Sequence, residues 1–129
     1  MSHILVAEDD FAVRDFIRRA LEMAGHNVVV VHEGGEALQR LNADGTRYDL
    51  FVSDIKMPVI DGMALSKIVY KAQPQLPILF ITGFSGMFEE SDVVPSVTGF
   101  LQKPFTVHQI QDAVQAAASR KKPSLKVCS

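Results

Sequence analysis

A chain of 129 residues, 47% hydrophobic and 22% charged, is long enough for one well-filled core and too short for two ordinary domains. Its formal charge of −2 gives no whole-molecule field of the kind that nucleic-acid or membrane-surface binders carry, and its single cysteine, Cys128, excludes an internal disulfide and fits a reducing compartment. No run of about 18 uninterrupted apolar residues occurs, and "MSHILVAEDD" lacks the basic lead and long apolar stretch of a signal peptide. The expectation is a soluble, cytoplasmic protein with no membrane span and no direct nucleic-acid binding.

Along the chain the apolar period switches back and forth. "HILVAE" (3–8) predicts a first strand, and Val13, Phe16, Ile17, Ala20, Leu21 and Ala24 then recur at helical spacing before Gly25. "NVVVV" (27–31) predicts a second strand, and Ala37, Leu38 and Leu41 mark a shorter helix. "YDLFVSD" (48–54) reads as the third strand, followed by a helical stripe of Leu65, Ile68, Val69 and Ala72 before Pro74. After the fourth strand, "PILFIT" (77–82), the segment "GFSGMFEESDVVPSV" (83–97) should hold a fourth helix, weakened by two glycines and Pro95. "TGFLQK" (98–103) is the fifth strand, and Val107, Ile110, Ala113, Val114 and Ala117 outline a fifth helix. The strands are continuous Val/Ile/Leu/Phe runs, as strands buried on both faces should be. Alternating strands and helices imply parallel strands joined by right-handed crossovers, hence an α/β open sheet with helices on both faces. The polar, basic "SRKKPSLKVCS" (119–129) reads as a frayed tail; the ordered domain is expected over residues 1–122, with a flexible tail over 123–129.

In such a sheet ligands bind where the carboxyl ends of the strands meet. The first strand ends in Glu8-Asp9-Asp10, the third in Asp54, the fourth in Thr82, and the fifth in Lys103 followed by Pro104. Carboxylates crowded together cannot all ionise without a cation, and a few oxygen ligands suit Mg²⁺, which shares its sphere with waters and phosphate. The constellation reads as a small phosphoryl-handling site. Asp10, directly before the first helical stripe, is assigned to the helix start rather than to the metal. His3, His26, His32 and His108 show no metal-ligand spacing.

These residues carry a resemblance. The paired acids "ED" after the first strand, "DIKMPVIDG" after the third, the threonine of "ITG" and the "KPF" after the fifth resemble, in order and spacing, the motifs of the CheY-like receiver domains of two-component response regulators. The resemblance spans residues 3 to 118. It implies a flavodoxin-like doubly wound sheet of five parallel strands in the order 2-1-3-4-5 with five helices. It also implies that Asp54 accepts a phosphoryl group from a histidine kinase or histidine phosphotransfer protein. Asp9 would ligate Mg²⁺ directly, Glu8 through water, and Asp54 and the Lys56 backbone carbonyl would complete the protein ligands. Lys103 would neutralise a phosphoryl oxygen, Thr82 would donate to another, and Phe100 stands where the family's aromatic switch residue sits. Pro58 would stiffen the acceptor loop, with Asp61-Gly62 closing it by turn chemistry. Such a protein is no enzyme beyond its own phosphoryl transfer and autodephosphorylation.

Rival architectures fit less well. A flavin-binding domain would need a Ser/Thr/Gly-rich phosphate loop where this chain has three acids, and a haloacid-dehalogenase-type phosphatase would need an early Asp-x-Asp pair and a larger chain. A domain excised from a hybrid kinase or longer regulator, or a phosphorylation-independent docking module, stays open. "LVAEDD" and "ILFITGF" also resemble the single-domain, CpdR-like cell-cycle regulators of alphaproteobacteria that, when unphosphorylated, prime a ClpXP-type protease; a chemotaxis-type regulator of a motor switch is the rival reading. The downstream protein partner is expected on the face made by the fourth helix, fifth strand and fifth helix, near Phe84, Phe88 and Phe100, and the protein to be a monomer or a phosphorylation-dependent dimer.

Overall fold

The computed structural model describes residues 2–43, 47–57, 59–83 and 93–119. The apolar runs form five strands: β1 (His3–Ala7), β2 (Asn27–Val31), β3 (Leu50–Asp54), β4 (Ile78–Thr82) and β5 (Val97–Gln102). All pair in parallel, in the order β2-β1-β3-β4-β5. The helical stripes become α1 (Phe11–Met23), α2 (Gly34–Asn42), α3 (Gly62–Ala72) and α4 (Val107–Ala118), the last being the fifth helix expected from the sequence. Most of the expected fourth helix, including Phe84 and Phe88, lies outside the described residues, as do Pro58 and the tail residues Arg120, Lys121, Lys122, Lys126 and Cys128.

Strand alternation builds two cores from single runs. Ile4, Val6, Leu50, Val52, Leu79 and Ile81 point to one face and pack with Ile17 and Leu21 of α1 and Ile110 and Val114 of α4. Leu5, Ala7, Phe51, Ile78 and Phe80 point to the other and pack with Ala37 and Leu41 of α2 and Leu65 and Val69 of α3. Strands filled on both sides need apolar residues at every position, which is why their sequences show no polar alternation. That expectation holds for β1, β3 and β4 and fails for the edges: β2 is mostly half-buried and β5 is half-buried to exposed. An edge strand has one neighbour to cover it, and helices overhang it less completely.

Helix ends are set by side-chain caps at the end of the sheet where the strands finish. Asp10 caps α1 through the Val13 N–H at 3.1 Å, as expected, and Asp61 caps α3 through the Ala64 N–H at 2.8 Å. Thr106 and Gln109 close a reciprocal capping box on α4. At the far end of α1, Gly25 takes φ 92°, and the His26 and Gly25 N–H groups return to the Leu21 and Glu22 carbonyls, a Schellman stop that needs glycine.

Gly62 has a reason the sequence did not suggest. A Cβ at this first residue of α3 would run into the Asp54 carbonyl oxygen and approach the Ile55 Cα to 2.8 Å, so the helix start presses on the end of β3 and its N–H donates to the Ile55 carbonyl at 2.7 Å. Its role is close approach, and Asp61 is a helix cap rather than a turn residue. Gly62→Ala is therefore expected to destabilise the fold by about 1–3 kcal/mol, the range for overpacking against atoms that cannot yield. A urea midpoint equal to wild type would contradict that packing.

Candidate functional site

The β1 end places its acids by backbone continuity. The Glu8 N–H extends the ladder to the Val31 carbonyl at 3.1 Å, and the Glu8 side chain, fully buried, turns back to accept the Asp10 N–H at 3.0 Å. Asp9, between them, is exposed. On the neighbouring strand Asp54 is 4% exposed at the end of β3. Carboxylate oxygens of Glu8, Asp9 and Asp54 all lie within 4.8 Å of one another.

The remaining strands bring the positive charge and the hydroxyl. Lys103 follows β5 directly rather than ending it, its N–H held by the Thr82 carbonyl at 2.8 Å, and the peptide bond to Pro104 is cis. Its ammonium lies 2.9 Å from Asp54 Oδ2 and 3.1 Å from Glu8 Oε1. Asp54 Oδ1 accepts the Lys56 N–H at 3.3 Å, so the loop after β3 folds back on the carboxylate; the Lys56 side chain itself is exposed. Thr82 is buried, one residue beyond Ile81, the register partner of Asp54. Phe100 lies farther down β5 opposite Phe80, its ring tilted 36° at 5.7 Å, and is 44% exposed.

The electrostatics show a charge conflict. Burial pushes the Glu8 carboxyl up to about 7, and the Asp54 charge adds to the rise, against the opposing pull of the Asp10 N–H and Lys103. Burial alone would also favour neutral Lys103, but its hydrogen bond to Asp54 and the nearby Glu8 carboxylate outweigh that and hold its pKa above an ordinary lysine. Glu8 Oε1 is buried with Lys103 near it but not aligned for a hydrogen bond. A buried carboxylate oxygen lacking a donor, in a cluster of oxygen ligands short of positive charge, suits a hard divalent cation.

An apolar groove of about 260 Å³ opens beside the site, lined by Ala12, Val13, Phe16, Lys103, Pro104 and Phe105. Phe16, part of the apolar stripe of α1, is 37% exposed and faces Phe105 with ring centres 6.0 Å apart. Sequence reading also missed Arg14, whose guanidinium donates to the Glu8 carbonyl at 2.8 Å; a cation in the second turn of a helix, against its dipole, was the available signal. The histidines stay outside the site: His32 pairs with Glu36 at 2.9 Å, His26 Nδ1 accepts the Ser2 N–H, and the His3 ring lies on Tyr48.

Known proteins share this chain's sequence pattern and its fold. The family described as the response regulator receiver domain matches residues 4–115. The chain is a member of that family. The response regulator receiver protein CpdR of Brucella abortus (strain 2308) is 35% identical over 116 residues, covering 89% of this chain and 95% of that protein. The response regulator MprA of Mycobacterium avium (strain 104) is 34% identical over 121 residues, which is 93% of this chain and 52% of MprA, so the chain spans about half the length of that relative. Among solved structures, the response regulator TrrA of Thermotoga maritima in complex with Mg(2+)-BeF superposes with a TM-score of 0.78 at 26% identity, covering 89% of this chain and 97% of TrrA. The expected five-stranded order and the two-component signalling class are thus borne out, and no helix among the described residues is long and apolar enough to cross a membrane.

In this receiver domain Lys103 holds two buried carboxylates, and its removal has a pH-dependent cost. Because the folded Glu8 binds its proton more tightly than an unfolded glutamate at 4.5, stability falls as pH rises from 4.5 to about 7 and levels above. Lys103→Met leaves the acids uncompensated, which should cost roughly 2 kcal/mol at pH 8, below the 3–5 kcal/mol typical of fully buried pairs since the Lys103 side chain keeps 24% exposure. At pH 5 Glu8 is protonated and the cost shrinks. Chemical denaturation without divalent cation at both pH values measures it, and equal losses at pH 5 and pH 8 would remove Glu8 from the pair.

Proposed function

We propose that Asp54 is the phosphoacceptor of a Mg²⁺-dependent switch charged by a histidine kinase or histidine phosphotransfer protein. The observation that carries the reading is the meeting of Glu8, Asp9, Asp54 and Lys103 at one sheet edge, with three carboxylate oxygens within 4.8 Å and one ammonium bridging two of the acids. Glu8, Asp9, Asp54 and the Lys56 carbonyl would hold the cation, and its charge would screen the acids from the approaching phosphoryl group. An Asp54 oxygen forms the new bond to phosphorus while the N–P bond to the donor histidine breaks, its electron pair staying with the imidazole, which takes up a proton. The Lys103 ammonium, already at Asp54 Oδ2, follows the transferred charge to a phosphoryl oxygen, and Thr82 donates to another.

The donor protein must bring its phosphohistidine to Asp54, and the groove between α1 and the segment after β5 is the apolar surface beside that point. It shares Lys103 with the site, so a helix seated against Phe16 and Phe105 stands within reach of the acceptor. The downstream partner reads the face of β5 and α4, together with the segment between β4 and β5. There the half-exposed Phe100 ring changes position when Thr82 is drawn to the phosphoryl group. This reading is of a signalling protein of the cytoplasm, monomeric or dimerising on phosphorylation.

Two donors separate the parts of the reading. With acetyl phosphate and Mg²⁺, wild type should gain one acid-stable, base-labile phosphoryl group, and Asp54→Asn should lose it with either a small-molecule or a protein donor. Phe16→Asp should keep acetyl phosphate labelling within about twofold and slow transfer from a phosphohistidine protein by roughly 10-fold or more, as for loss of one apolar interface anchor. Full labelling of Asp54→Asn would refute the acceptor assignment; equal slowing with both donors would refute the groove.

A further inference from the structure

Helix α1 begins without an acidic residue in its first turn and carries Arg14 at its fourth position, where the helix dipole disfavours a cation. A residue set against local preference calls for an offsetting contact. The side chain runs back past the helix start: Arg14 Nη1 donates to the Glu8 carbonyl at 2.8 Å and, more weakly, to the Asp9 carbonyl at 3.4 Å. The guanidinium carbon stands 5.4 Å from the centre of the Phe11 ring, a side chain 69% exposed. The turn is thereby tied from two sides, because the Glu8 carboxylate accepts the Asp10 N–H while Asp10 accepts the Val13 N–H.

We infer that Arg14 is a positioning residue for the divalent cation. It grips the peptide carbonyls of both acid-bearing residues, and Phe11 is the plate that keeps the guanidinium in place. The inference rests on the metal-site reading above. Asp9 needs such a brace more than its neighbours, since it is exposed and sits in a turn, whereas Glu8 and Asp54 are buried at strand ends. An unbraced Asp9 must lose rotational and backbone freedom each time a cation binds, and outer partners that orient metal ligands typically contribute 10–100-fold in affinity.

The sign of the effect separates this role from plain electrostatics. A guanidinium on the carbonyls of Glu8 and Asp9 opposes a second cation by charge, so removing it would tighten binding if charge alone mattered. Positioning demands the opposite.

Isothermal titration of the whole chain with Mg²⁺, and with Mn²⁺ as a second probe, tests this on wild type, Arg14→Met, Arg14→Lys and Phe11→Ala. Arg14→Met should weaken binding by about 10-fold, Arg14→Lys and Phe11→Ala by less, and the acetyl phosphate labelling rate of each should return to wild type at saturating Mg²⁺. Equal or tighter binding by Arg14→Met, or a labelling defect that saturating Mg²⁺ does not restore, overturns the inference alone. A wild-type chain that takes up no Mg²⁺ overturns the site reading with it. Should Arg14→Met fail to fold by circular dichroism, the surface change Phe11→Ala decides, and unchanged affinity there overturns the brace.

Discussion

One ammonium serves two buried carboxylates. Lys103 lies within ion-pair distance of both Glu8 and Asp54, and with Asp9 at their side the cluster holds more negative charge than its surroundings neutralise. In a poorly solvated site that imbalance is costly, and Glu8 answers it by holding its proton up to about 7. Any ligand that brings positive charge relieves the same imbalance. An acidic cluster short of positive charge, with oxygen ligands from three carboxylates close together, suits a hard divalent cation.

The fold supplies the rigidity this requires. Parallel pairing fixes Glu8, Asp54, Thr82 and Lys103 at the ends of neighbouring strands or one residue beyond them, and the ladder continues past β1 and β5 through the Glu8 and Lys103 amides. Gly62 lets α3 close against the end of β3, and Asp61 and Asp10 start their helices on either side of the site. The side chain expected to act as the switch is less confined, and the loop after β3 is strained. Phe100 is half-exposed on an edge strand, and the Asp54 loop carries Val59 at φ 73°, a left-handed conformation that costs a β-branched residue about 1–2 kcal/mol. Rigid acids beside a half-exposed edge aromatic suit a device that detects one added charge and reports it over its surface.

The central strands, their parallel pairing and the meeting of Glu8, Asp9, Asp54, Thr82 and Lys103 were legible in the sequence, because strands buried on both faces write unbroken apolar runs and the residue after each run is the one at the sheet edge. Edge strands were read as too buried, since β2 and β5 have the same composition as inner strands and differ only in having one neighbour. Phe16 followed the apolar stripe of α1 yet lines a groove, for periodicity gives the face of a helix and not what lies opposite it. Gly62 and Arg14 escaped because their roles are contacts across space: a helix start against a strand end, and a guanidinium reaching back to two carbonyls. Only the tension of Arg14 with the helix dipole left a trace in the sequence.

The claim that Glu8 is held protonated by burial until a cation arrives is tested most directly by following its side-chain carboxyl carbon by NMR from pH 4 to 9, with and without Mg²⁺. A midpoint near 7 is expected without the cation, and a midpoint in the ordinary carboxylate range once Mg²⁺ is bound. An ordinary midpoint in both titrations, or a midpoint near 7 that Mg²⁺ leaves in place, would contradict it.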